Sequence, residues 1–126
     1  MKTFSFERLE VWQKSKNFAL KIYNVTQNFP DVEKFGLVSQ LRRSSISISS
    51  NIAEGSSRTS SKDQARFYVI AFSSGIEVLN QLIISNELKF ISDDLYKDLR
   101  EELESITAML NKLNQSTKKT NKRINL

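Results

Sequence analysis

Pro30 is the only proline of the chain, and Gly36, Gly55 and Gly75 are its only glycines. These residue types break helices and shape tight turns, so their scarcity leaves few places where the backbone can change direction. With abundant Leu, Ile, Lys, Glu and Ser, this composition points to an all-α chain, and 126 residues make one domain.

The apolar periodicity divides the chain into four helices. Val11, Trp12, Ser15, Phe18, Ala19, Ile22, Val25 and Phe29 recur at steps of three and four and predict a helix over 7–28. Pro30 stops it, because its ring bars the preceding residue from α geometry. A second helix is expected over 36–55, with Leu37, Leu41, Ser45, Ile48 and Ile52 as its core stripe. Arg42, Ile46, Ser49 and Ala53 form another small and apolar face of the same helix, about 110° away at α-helical pitch. One bundle needs one apolar face per helix, so the second face is assigned to an oligomer interface. A turn follows over 55–62, and Ser61-Lys62-Asp63-Gln64 fits a capping box for a third helix over 62–88. Its apolar positions cover about 200° of arc, more than one small bundle buries. Ser92 caps a fourth helix, with Asp93 and Asp94 at the positive end of its dipole. Leu95, Leu99, Leu103, Ile106, Leu110 and Leu113 carry its stripe. Asn114 onward lacks a pattern. The expected architecture is an antiparallel up-and-down four-helix bundle over 1–113 with a disordered basic tail over 114–126.

Composition excludes much chemistry. The chain has no Cys and no His, so disulfides, thiolate nucleophiles, zinc fingers and imidazole bases are absent. No glycine-rich phosphate loop can be built. The stretch 67–88 is interrupted by Ser73, Ser74, Glu77, Asn80, Gln81 and Ser85 and is not read as a membrane span. With charged residues close behind Met1, a cytoplasmic location is the expectation. No catalytic, cofactor-binding or metal-binding residue can be named, and the chain is read as a non-enzyme. The net charge is +5, unevenly spread: positive over 1–66, negative over 67–113, and positive again in the tail.

The run from Gly36 through Gln40-Leu41-Arg42-Arg43 to Asn51-Ile52-Ala53-Glu54-Gly55 resembles a known bacterial family. It is similar to the four-helix-bundle proteins encoded by intervening sequences within 23S rRNA genes. Those are related to the accessory variability determinant proteins of diversity-generating retroelements. Leu9-Glu10-Val11-Trp12-Gln13, Phe29-Pro30 with Glu33, Arg58, Phe67 and Ala71 extend the resemblance over about 6–113. Ser49 stands where family members often carry proline, which implies a straighter second helix. The resemblance implies a four-helix bundle assembled as a barrel-shaped homopentamer. It also implies basic surfaces that, in the retroelement relatives, contact nucleic acid and reverse transcriptase.

Two sets of cations are candidate nucleic-acid contacts. Arg42, Arg43, Arg58, Lys62 and Arg66 form a positive surface, or alternatively a solvated or interface-paired set in which Glu54 pairs with Arg58 one turn on. Lys118, Lys119, Lys122 and Arg123 form a basic tail that reaches phosphates without a shaped site, or simply a solubilising end. Asn51, Glu54 and Gly55 read as a structural motif, with Gly55 ending the helix and Asn51 bonding across the bundle edge. Trp12 is assigned to the core. The leading expectation is a homo-oligomer that binds nucleic acid, RNA first. The alternative is a scaffold that docks a protein partner such as a reverse transcriptase or ribosome-associated factor.

Overall fold

A computed structural model describes residues 1–124, with side chains described through Thr117. Four helices follow one another: α1 (Glu10–Thr26), α2 (Leu37–Ser56), α3 (Ser61–Glu87) and α4 (Asp93–Ile124). No strand occurs among the described residues. α1 begins later than the periodicity suggests, because Ser5–Arg8 form a separate 3-10 turn. The Glu7 carboxylate accepts from the Phe4 amide at 2.7 Å, and Leu9 is extended, which breaks the helix at its start. Pro30 then introduces a second 3-10 turn, Asp31–Glu33, before α2.

Helix order follows the short connections. α2 packs most extensively on α3, α3 on α4 and α1 on α2, and α1 closes onto α4 along a sparser seam. The pairs Arg42–Tyr23, Ser47–Ser74 and Lys21–Glu102 fix an antiparallel register across three of these seams. Phe18, Ile22, Leu41, Ile48, Ile52, Val78, Leu82, Leu99, Ile106 and Leu110 form the sealed core. Most of the predicted stripes lie here. Trp12 is half-buried instead, its ring edge-on to Phe6 at 4.9 Å.

Two caps differ from the sequence pattern. Ser60, one residue before Ser61, caps α3, its hydroxyl accepting from the Asp63 amide at 3.1 Å. Gln64 reaches back to the Arg58 carbonyl at 3.0 Å. At the far end Phe90 donates to the Ser85 carbonyl at 2.9 Å and Lys89 sits at φ 64°, a left-handed helix stop occupied by a residue with a side chain. Ser92 caps α4 as expected, accepting from the Leu95 amide at 3.1 Å.

α4 runs on past Asn114, where the pattern placed the start of a tail. Thr117 is buried and its hydroxyl donates to the Leu113 carbonyl at 3.0 Å. The side chains of Lys118, Lys119, Lys122 and Arg123 lie outside the described residues. α3 is long and apolar enough to cross a membrane by length and composition alone. It packs between α2 and α4, which cover one side of it.

Candidate nucleic-acid interface

The five cations of the folded part do not form one surface. Arg42 sits early in α2, where its Nε donates to Thr26 Oγ1 at 3.0 Å and its Nη2 to the Tyr23 carbonyl at 3.2 Å. The guanidinium also lies 4.6 Å from the Tyr23 ring centroid. It thereby satisfies backbone at the C-terminal end of α1, a structural task. Arg43 is ion-paired with Glu77 of α3 and donates to Gln40 Oε1 at 2.9 Å. Both arginines are engaged internally and lie about 24 Å from Arg58 by helical rise.

The other three gather at the α2–α3 turn. Gly55 does not end α2, which continues to Ser56. Instead, a Cβ at Gly55 would lie 2.8 Å from Tyr68 Cε1 and 2.9 Å from Phe67 Cβ, so its lack of a side chain is what lets α3 approach. That approach brings Phe67 beside the turn. The Arg58 guanidinium lies 4.6 Å from the Phe67 ring centroid and that of Arg66 lies 5.4 Å from it. Arg66 also approaches Asp63 at 3.5 Å. Among the described residues neither Arg58 nor Lys62 pairs with a carboxylate, so the expected Glu54–Arg58 pair does not form. Lys62 and Arg66 rim an open cleft of about 470 Å³ over Ala65 and Val69. Two exposed guanidiniums steered by one aromatic ring, with a lysine a turn away, present donors to a phosphate oxygen.

Asn51 bonds within its own helix and not across the bundle edge. Its Nδ2 donates to the Ser47 carbonyl at 2.8 Å, and Ser47 in turn meets Ser74 Oγ at 2.8 Å. Ser44 donates to Gln81 Oε1 at 2.7 Å further along the same seam. Serine density in α2 thus serves close packing on α3. Tyr68 is buried beside Gly55, and burial pushes its phenol above the ordinary range.

Outside this seam α2 and α3 each leave apolar side chains exposed, on separate sides of the bundle. Ile46 of α2 is 40% exposed, with Ser49 and Ala53 half-buried beside it. Val69, Ile70, Ile76 and Ile84 of α3 are exposed and share one side of that helix. Arg42, assigned to the α2 face, is turned to α1 instead. The α3 contribution is larger than the α2 contribution, and the wide apolar arc of the sequence was its signal. Among the described residues, no group of three or more His, Cys, Asp or Glu converges to hold a metal ion. A cleft of about 370 Å³ lies between α1 and α4, where Lys21 is tied to Glu102 at 2.9 Å.

These features define a small antiparallel helical bundle with an uncovered apolar helix face and a basic turn. The sequence matches the 23S rRNA-intervening sequence protein family over residues 7–112, and the chain belongs to that family. The fold is similar to a crystal structure from Bacteroides thetaiotaomicron, described as a protein of unknown function from the S23 ribosomal protein family. The two share 25% identity at a TM-score of 0.75, covering 82% of this chain and 97% of that one. No curated protein matches the sequence. Neither the family description nor the neighbour's names a reaction.

Proposed function

We propose that this protein is a non-enzymatic homo-oligomer that binds nucleic acid, RNA first, through its α2–α3 turn. The observation that carries the reading is the convergence of Arg58 and Arg66 on the Phe67 ring with Lys62 unpaired beside them. The uncovered face of Val69, Ile70, Ile76 and Ile84 on α3, and the exposed Ile46 on α2, support self-assembly, since exposed apolar patches mark association surfaces. The family resemblance favours a barrel-shaped pentamer, which would repeat the basic turn around one rim. Weak single contacts then add through multivalency.

The test is a gel-shift titration with structured RNA at two salt concentrations. The intact chain should bind more weakly as salt rises, because phosphate contacts release counterions. Replacing Arg58, Lys62 and Arg66 together with Gln should weaken binding about tenfold or more and flatten the salt slope. A chain ended at Thr117 separates the turn from the tail lysines. No binding at low salt, or binding indifferent to the triple replacement, defeats the assignment to the turn.

A further inference from the structure

The opposite end of the bundle carries an apolar surface that the fold leaves uncovered. Val32 and Phe35, in the α1–α2 connection, are each 88% exposed, and Leu88 lies exposed at the same end. This connection is an ordered turn. The amides of Glu33, Lys34 and Gly36 donate to the carbonyls of Pro30, Asp31 and Glu33 at 2.9, 3.1 and 3.0 Å. The Glu33 carboxylate accepts from the Leu37 amide at 3.3 Å. Beneath it Phe29 is buried, and its ring meets Phe90 of the α3–α4 connection at 5.5 Å. A hydrogen-bonded turn therefore holds two large apolar side chains out in solvent. Covering them would remove apolar surface from water, a favourable step. Exposed apolar groups on a backbone already fixed lose little further entropy on binding, which suits them to anchor an interface.

The surrounding charge indicates what covers them. Asp31 and Glu33 flank Val32, Glu87 precedes Leu88, and Asp93 and Asp94 open α4 at this same end, outnumbering Lys34 and Lys89 there. Among the described residues Asp31, Glu87 and Asp94 form no ion pair. This field repels a polyanion and attracts cations. The Phe35 ring already receives one, with Lys34 Nζ 5.6 Å from its centroid. We infer that this end docks a protein segment that combines apolar and basic side chains, Val32 and Phe35 entering its apolar side while its cations meet the carboxylates. The site is remote from the α2–α3 turn and does not rest on the nucleic-acid reading; the two ends are free to be occupied together.

The probes are two synthetic peptides of equal length, one of Leu and Lys and one of Leu and Glu, titrated into the full chain by NMR. The Leu/Lys peptide should bind, shifting amide signals of residues 31–36 and 87–89. Phe35→Asp should weaken that binding about tenfold or more, and Val32→Ser should weaken it with no change of charge, while Arg58→Gln leaves it unaltered. Adsorption by charge alone gives the opposite sign, because Phe35→Asp adds a carboxylate. Unchanged or tighter binding by Phe35→Asp therefore overturns the inference, as does equal binding of the Leu/Glu peptide. If Phe35→Asp reduces the particle size of the free chain in light scattering, a second copy occupies the surface and the inference falls. Both replaced side chains are exposed, so the variants should fold, and circular dichroism checks that they do.

Discussion

Gly55 shows how one residue controls the basic turn. Alanine is the better helix former by about 1 kcal/mol, and Gly55 lies inside α2, so propensity alone favours Gly55→Ala. Its Cβ, however, would press on Phe67 Cβ, an atom fixed to the α3 backbone. Overpacking should win: Gly55→Ala is expected to lower unfolding free energy by about 1–3 kcal/mol, measured as a reduced urea midpoint. Lys89 presents the reverse case. It holds a left-handed conformation at φ 64° that costs a side-chain-bearing residue about 1 kcal/mol, so Lys89→Gly should raise the unfolding free energy by roughly 0.5–1 kcal/mol, read as a higher urea midpoint. Neither effect is visible in the residue string. Gly55 reads as a helix stop because glycine commonly ends helices, and only the packing of Phe67 and Tyr68 reveals its other task. Lys89 carries no conformational signature at all in sequence.

At the scale of elements, α3 decides what remains uncovered. Its buried side carries Ala71, Val78 and Leu82, while Val69, Ile70, Ile76 and Ile84 are left outside by α2 and α4. Ile76 stands on the uncovered side of α3, as Ile46 does on α2. Ile76→Asp or Ile46→Asp should therefore dissociate an assembly in which these two faces meet neighbouring copies, seen in light scattering as a fall toward the 14.5 kDa chain mass, while far-ultraviolet circular dichroism stays helical. Loss of helix would instead mean the face belongs to the monomer core. The helices and their stripes were legible because burial imposes a 3.6-residue period. Their ends were less so: Ser60 and Ser61 are equal as caps by type, and only the hydroxyl–amide geometry selects Ser60. The apolar pattern stops at Asn114, yet α4 continues, because helices extend over polar residues once a neighbour supports them, as the buried Thr117 shows.

Over the whole molecule, the antiparallel course of the chain rearranges its charge. The sequence shows basic and acidic blocks in succession, but folding back and forth assigns charge to ends. Lys2, Arg8, Arg58, Lys62 and Arg66 outnumber Glu7, Glu10, Glu54 and Asp63 at the end that holds the chain start and the α2–α3 turn. Asp31, Glu33, Glu87, Asp93 and Asp94 outnumber Lys34 and Lys89 at the other. Residue type and spacing register a cation's charge but not its engagement. Arg42 and Arg43 therefore look equivalent to Arg58 in sequence, although one supports the end of α1 and the other closes on Glu77.

This division of charge gives the bundle a permanent dipole along its length. In the field of a polyanion such a body feels a torque before it feels contact, and rotates its positive end forward during approach. Orientation, ordinarily the slow search in a diffusional encounter, is then partly complete on arrival, and the gain fades as the Debye length shrinks below the bundle's own dimension.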